Sequence, residues 1–453
     1  MKINPNIFKT YDIRGVYPDE LNEETAHKVG QSFAKFINNS PIIVGADTRL
    51  SSPALKKSLI EGIASQGIDV IDIGLCSSPC FCFTAGEPGS KGGIMLTASH
   101  ASKEFNGFKM VFENNVALTK KHILEIKNLM MTKNLEDAEK KGTVTEKDPT
   151  DKYLDVIKST LKEKIKPLKV VMDAGNGMAG LYIEKVFSNI SIDLVPIYTD
   201  LDGNFPNHET NPKIPKNRLK LKEKILSEKA DLGFMFDGDA DRFAALDRNG
   251  DLVDYSLLMA LMSEYIVNNS DKKEVVIEVR TSRVVRDWVE KAGGKIITST
   301  CWTIPIKFEM QKNPNIVFGG ETSGHYVFPI LHEADDGILA ALTFLQAISA
   351  KEKSIDDIIE NFRKKYFVLD EINFEISNKE KAQKILNQLK EKYSSDGGEI
   401  LEIDGLTVDF ADWKFNLRES QTEPLIRLNL EANSNKLFEE KKEEIISFIN
   451  SQK

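Results

Sequence analysis

At ~150 residues per domain, the 453-residue chain has room for three or four domains, which excludes a lone binding module. Hydrophobic residues at 41% and charged residues at 28%, with ordinary Gly and Pro usage, exclude a disordered or collagen-like chain and leave a folded globular protein. The net charge of -9 repels nucleic acid and anionic membranes from the molecule as a whole, so an anionic ligand has to be gathered by a local basic cluster. The start lacks a signal-like apolar core, and no window reaches the ~18 apolar residues of a membrane span, so a cytoplasmic protein is expected. Cys76, Cys80, Cys82 and Cys301 lack the paired spacing of a zinc site and are too few for a disulfide scaffold, so reduced thiols are expected.

Three stretches repeat one plan in chain order: a β-branched run, a polar turn, an amphipathic segment and a second apolar run. In the first, Ile42 to Val44 reads as a strand, with Ser52 and Pro53 as N-cap and N1 of a helix. Leu55, Leu59, Ile60 and Ile63 form the apolar face of that helix, and Gly67 ends it before a strand from Ile68 to Ile73. The second plan begins at Val170-Val171-Met172 and turns through DAGNGMAG. The third begins at Val275-Val276-Ile277, with Val284, Val285, Trp288, Val289 and Ala292 on its helical face. Starts at residues 42, 170 and 275 lie a domain apart, which predicts three tandem related α/β/α domains with mainly parallel mixed sheets. From Tyr366 the order changes to strand, helix (Lys379 to Lys392), strands (Glu399 to Leu430) and helix (Leu437 to Ile449), a C-terminal α+β domain. The expected domains are 1–150, 151–250, 251–366 and 367–453, arranged around a central cleft.

Four loops carry chemistry. Asp237-Gly238-Asp239-Ala240-Asp241-Arg242 lies between two apolar runs, and if it is extended its three carboxylates point to one side as hard ligands for Mg²⁺. An EF-hand is disfavoured, because its sixth and twelfth positions would be Arg242 and Arg248. A solvated acidic turn is the bland alternative. The second loop, Thr97-Ala98-Ser99-His100, follows the strand-like Gly93 to Leu96, where a serine could carry a phosphoryl group and Lys109 could move a hydroxyl proton. A Ser-His-Asp hydrolase is the competing reading, weakened by the absence of a G-x-S-x-G elbow. The third, Gly319 to His325, offers Glu321 and Ser323 to sugar hydroxyls. The fourth places Arg418, Ser420, Gln421 and Thr422 in one turn, a composition suited to phosphate. The last two read equally well, taken singly, as an ordinary tight connection and a polar turn.

Taken together the chain resembles the α-D-phosphohexomutase superfamily, in its bacterial phosphomannomutase/phosphoglucomutase branch. The markers run in order: Tyr11-Asp12-Ile13-Arg14-Gly15, VGADTRLSS, TASH with Asn106-Gly107-Phe108-Lys109, DGNFPNH, DGDADR, GETSGH, and Arg418-x-Ser420-x-Thr422-Glu423-Pro424. The resemblance implies a phosphoserine loop, a metal loop, a sugar-recognition loop and a phosphate-binding loop on the successive domains. Ser99 would be the phosphoserine, and Ser99, Asp237, Asp239 and Asp241 would hold Mg²⁺. Arg14, Lys109, Arg242 and His325 would surround the reacting groups, and Glu321 and Ser323 would read the sugar. Arg418, Ser420, Gln421 and Thr422 would grip the phosphate that is not transferred, assisted by Arg280.

The implied activity is a phosphomannomutase, an intramolecular phosphotransferase that also accepts glucose phosphates, acting as monomer or homodimer through a hexose 1,6-bisphosphate. Phosphoglucosamine mutase and phosphopentomutase are the enzymatic alternatives, and a non-catalytic sugar-phosphate-binding homologue is the alternative of another class. Ala101-Ser102 replaces the family's usual Asn-Pro, removing a rigid proline beside Ser99. Gln421 stands where Asn or Gly is common, and TCWTIPIK at 300–307 replaces a Gly-His-Ser turn, so that loop is given no role.

Overall fold

In a computed structural model, residues 3–132, 135–369, 371–420 and 424–452 are described. They form two compact units: residues 1–253, 310–314 and 323–350 make one, and residues 254–309, 315–322 and 351–453 the other.

The first unit begins with a six-stranded mixed sheet in the order Asp12–Val16, Phe105–Phe112, Gly92–Leu96, Ile42–Ala46, Val70–Leu75 and Val144–Glu146. Ile42–Ala46 runs parallel to both neighbours and is buried throughout, which is why it reads as an unbroken apolar run. The helix Ser52–Ser65 packs Leu55, Leu59 and Ile63 into the core, with Ile60 partly buried. It meets the helix Glu23–Ile37 at Gly62, where an added Cβ would lie 2.1 Å from the His27 carbonyl. Only glycine permits that approach. The helix cap is Ser51 rather than Ser52, because the Ser52 hydroxyl donates to Asp47 instead of capping. The next strand starts at Val70 rather than Ile68, since the Asp69 carboxylate is taken by the Thr143 N–H and hydroxyl before the ladder begins.

A second sheet in this unit orders Phe243–Leu246, Leu232–Phe236, Leu168–Asp173 and Ile192–Ile197, all parallel except the first strand. The DGDADR segment is therefore the hairpin joining Leu232–Phe236 to Phe243–Leu246. The apolar helix Gly337–Ser349 covers it, bringing Phe344 to 5.9 Å from the Phe234 and Phe243 rings. At the end of Leu168–Asp173, His208 Nε2 lies 3.0 Å from Asp173 Oδ2, with both side chains buried.

Burial lowers the His208 pKa, but the Asp173 hydrogen bond and charge outweigh it, so His208 is held above its ordinary value. A raised folded pKa contributes stability fully below the unfolded value of about 6.5, lost as pH climbs through the folded value. The thermal midpoint of the parent is therefore expected to fall as pH rises from about 6.5, and His208→Gln to flatten that fall. Thermal scans of the two proteins across this range check it, and parallel curves would refute the pairing.

In the second unit, Lys295–Ser299, Glu274–Glu278 and Ile316–Gly320 pair in parallel in that order. The helix Arg283–Lys291 buries Val284, Val285 and Val289; Trp288 is half-buried, and Ala292 is the C-cap. The C-terminal part is wholly antiparallel: Phe367–Val368, Leu425–Ala432, Trp413–Glu419, Leu406–Asp409 and Glu399–Leu401 in order, with Ile372–Glu375 also on Leu425–Ala432. The helices Lys379–Ser395 and Asn435–Gln452 share its core through Leu389, Tyr393, Ile445 and Ile449. This is the expected α+β portion. Among the described residues no helix is long and apolar enough to cross a membrane, and the four cysteines are buried without a disulfide.

Candidate active site

Ser99 lies just beyond the end of Gly92–Leu96, buried, at φ +52°. That left-handed conformation costs a non-glycine residue roughly 1–2 kcal/mol, so the surroundings must impose it. Its N–H donates to Thr97 Oγ1 at 2.9 Å, and its hydroxyl donates to Asp237 Oδ2 at 3.0 Å and lies 3.1 Å from His100 Nδ1. Gly238 makes this meeting of loops possible, since a Cβ there would sit 2.6 Å from the Ser99 carbonyl. Burial, then Arg242 and Arg14, push the His100 imidazole down to about 2. So weak a base is ill-suited to activating a serine, and the hydrolase reading loses its general base.

The three carboxylates converge, but through a turn rather than an extended segment. Ala240 adopts φ +62° and its N–H returns to the Asp237 carbonyl at 3.1 Å, folding the loop back so that residues 237, 239 and 241 face inward. One carboxylate oxygen from each lies within 4.8 Å of the others, and all three residues are buried. Asp239 Oδ1 and Asp241 Oδ1 are buried with no hydrogen-bond partner. Buried acceptors left unmatched are costly, and hard anionic oxygens so placed fit a small divalent cation.

The other oxygens are engaged: Lys109 Nζ donates to Asp239 Oδ2 and Asp241 Oδ2, both at 2.7 Å, and Ser78 Oγ donates to Asp239 Oδ2 at 2.6 Å. Burial and then the charges of Asp241 and Asp239 push Asp237 far up. Burial also raises Asp239, but Lys109, Ser78 and Arg242 outweigh it and leave it below its ordinary value. Burial alone would lower Lys109, yet Asp239, Asp241 and Asp335 hold it well above normal, so it is an ammonium.

Arg242 is anchored by its N–H to Asp237 Oδ1 at 3.2 Å and donates through Nε to His325 Nε2 at 2.9 Å. An isolated bridge between Arg242 and His325, together with the bond from Phe243 N–H to the Gly324 carbonyl, brings the Ser323-Gly324-His325 turn to the carboxylate loop. His325 Nδ1 lies 2.6 Å from Asp335 Oδ2, a partner that the sequence did not reveal. Arg14 pairs with Asp12 at 2.8 Å while its Nε is buried without a partner.

In the second unit, Glu321 is buried beyond the end of Ile316–Gly320. Arg280 donates to Glu278 at 2.8 and 2.9 Å, and Glu278 also accepts the Thr322 N–H and hydroxyl. Three guanidiniums surround Glu371: Arg418 at 2.7 Å, Arg427 at 3.0 Å and Arg280 at 3.6 Å. Burial raises Glu371, but Arg418 and Arg280 outweigh it and hold the carboxyl below its ordinary value. The cluster thus already accommodates an anion. Neither Arg427 nor Glu371 lies in any of the four loops that the sequence singles out. Ser420 closes a hairpin to the Leu425 carbonyl, and Arg427 reaches its hydroxyl at 3.4 Å. Gln421 and Thr422 lie outside the described residues. Residues 303–307 form no loop but open the helix Thr303–Lys312; just before it, Cys301 N–H donates to Asp404 Oδ2 and Trp302 is exposed at φ +87°.

Four family models match in succession: phosphoglucomutase/phosphomannomutase alpha/beta/alpha domain I at residues 5–137, domain II at 151–250, domain III at 254–366 and the C-terminal domain at 371–447. The chain is 34% identical over 447 residues to the phosphohexose mutases of Xanthomonas campestris pv. campestris, covering 98% of each. It is also 34% identical over 456 residues to a phosphomannomutase of Vibrio cholerae, again covering 98% of each. A crystal structure of a phosphoglucomutase/phosphomannomutase family protein from Burkholderia thailandensis superposes with a TM-score of 0.89 at 27% identity, over 100% of this chain and 98% of that one. Tandem α/β/α domains, a C-terminal domain and these relatives define a phosphohexomutase, an isomerase of the phosphotransfer type. The chain belongs to the α-D-phosphohexomutase superfamily, with all four phosphoglucomutase/phosphomannomutase domains present.

Proposed function

We propose that the chain interconverts mannose 6-phosphate and mannose 1-phosphate, and also the glucose phosphates, through phosphoserine 99 and a hexose 1,6-bisphosphate. The observation that carries this reading is the Ser99 hydroxyl, held in a strained conformation against Asp237 at the edge of a carboxylate trio with two unmatched oxygens. Asp237, Asp239 and Asp241, with the seryl phosphate, would hold Mg²⁺, which when bound neutralises charge on a phosphoryl group. Arg14, Arg242 and His325 draw the phosphoryl oxygens into place. Lys109, an ammonium, gives a proton from Nζ to Ser99 Oγ as that oxygen's bond to phosphorus breaks and takes up the proton of the attacking sugar hydroxyl. Phosphoserine 99 gives its phosphoryl group to the free hydroxyl of the hexose phosphate, the bisphosphate reorients, and Ser99 takes back the group from the other end. Glu321 and Ser323 bind the sugar hydroxyls, while Arg280, Arg418, Ser420, Gln421 and Thr422 hold the phosphate that stays.

Intact-protein mass spectrometry should find one phosphate, localised to Ser99. A coupled assay over mannose, glucose and glucosamine 1-phosphates, primed with hexose 1,6-bisphosphate, should rank mannose first. A glucosamine preference would replace the substrate proposed here.

The two cations separate binding from proton transfer. Arg418→Ala is expected chiefly to raise KM, by about ten- to two-hundredfold for a lost charge-assisted contact of roughly 1.5 to 3 kcal/mol. Lys109→Ala is expected to lower kcat by about 10² to 10⁴ with a smaller change in KM. Steady-state kinetics on the pair decides, and matching KM increases with unchanged kcat would remove the proton-transfer role.

A further inference from the structure

We propose that Arg49 is a positioning residue for the phosphoryl-transfer step, fixing the backbone of the Ser99 loop; this rests on the reading of Ser99 as the phosphoryl carrier. The Arg49 side chain is fully buried and its guanidinium is saturated. Nη2 donates to the carbonyls of Ser99 at 2.8 Å and Ala101 at 2.7 Å, and Nη1 to those of Ser102 at 2.7 Å and Phe105 at 2.8 Å. Nε donates to Asp47 Oδ2 at 3.1 Å. Those bonds use every N–H donor a guanidinium has.

One side chain therefore staples the whole turn from the serine to the start of Phe105–Phe112. A loop so tied can keep Ser99 at a positive φ, because relaxing that residue would break several bonds at once. Only backbone carbonyls are gripped. The staple is thus indifferent to the Ala101-Ser102 replacement and provides the order that a rigid proline would otherwise supply.

The segment Asp202 to His208 seals the contact. Phe205 places its ring 5.3 Å from Arg49 Cζ. Gly203 lies so close that a Cβ would be 2.4 Å from the Thr48 carbonyl and 2.9 Å from Arg49 Cα. Asp47, itself buried, completes the pair and also accepts from the Ser52 hydroxyl. The role depends on the fork rather than on charge alone. A lysine has three donors on a single nitrogen and cannot span four carbonyls in two directions.

The test compares Arg49→Lys, Arg49→Met and Phe205→Leu with the parent. Hydrogen exchange over residues 97–105 should speed at least about tenfold in both Arg49 variants, with the remainder of the chain unchanged. Single-turnover transfer from phosphorylated enzyme to mannose 1-phosphate, expressed per phosphoserine, should fall about a hundredfold, with KM within about threefold of the parent. Arg49→Lys should rescue neither readout. A merely structural Arg49 would lower the thermal midpoint while leaving local exchange and per-phosphoserine transfer at parent values, and that result overturns the proposal. Should the Arg49 variants fail to fold, Phe205→Leu decides: faster exchange confined to residues 97–105 supports the staple, and unchanged exchange refutes it. The carrier reading is judged separately, on whether the parent bears phosphate at Ser99.

Discussion

Ser99→Ala is expected to abolish turnover, lowering kcat by at least about 10⁴, since loss of a covalent nucleophile leaves no acceptor for the phosphoryl group. Binding should be nearly untouched, because the hydroxyl offers little contact area and the cationic partners remain. Folding should survive as well. The variant loses the hydrogen bond to Asp237, worth about 1 kcal/mol, and keeps the backbone ties that hold residue 99 at positive φ. Mass spectrometry should show the phosphate gone, and equilibrium binding of mannose 6-phosphate should stay within a few-fold of the parent. Mutase activity within tenfold of the parent would remove Ser99 from the mechanism.

Asp239→Asn is expected to reduce activity by roughly a hundredfold or more, as removing one anionic ligand forfeits several kcal/mol of charge stabilisation. Its consequences reach further than those of a lone ligand. Asp239 Oδ2 accepts from Lys109, Ser78 and Thr97, so an amide turned toward Lys109 would set donor against donor. A cation that binds only the folded chain also stabilises it by mass action. Added Mg²⁺ should therefore raise the thermal midpoint of the parent and have little effect on Asp239→Asn. Calorimetric titration with Mg²⁺ alone provides the second reading, and an unchanged affinity would make the carboxylate trio structural.

Legibility followed the range of the interaction. The strands around Ile42, Val170 and Val275 were readable because a strand buried on both faces must be an unbroken apolar run. The Asp237, Asp239 and Asp241 cluster was readable because its chemistry lies within five consecutive residues. Its shape is not legible there: alternation of the carboxylates predicts an extended segment, whereas Ala240 turns the chain back at positive φ. Helix boundaries slipped where a side chain had a better use elsewhere, as with Ser52, which donates to Asp47 rather than capping.

What the sequence by itself determined is the set of chemical groups: a serine after a strand, three clustered carboxylates, and cations at known positions, each defined by neighbours a few residues away. Tertiary structure decided which of them meet and what holds them. Ser99 reaches Asp237 across 138 residues, and Lys109 reaches Asp239 across 130. Asp335 behind His325 and the arginines around Glu371 likewise depend on separate elements coming together. Within VGADTRLSS nothing marks Arg49 out, because its partners are carbonyl oxygens, which every residue carries and no sequence pattern can mark. A side chain's identity is local information, whereas the backbone groups it satisfies become specific only once the chain has folded around it.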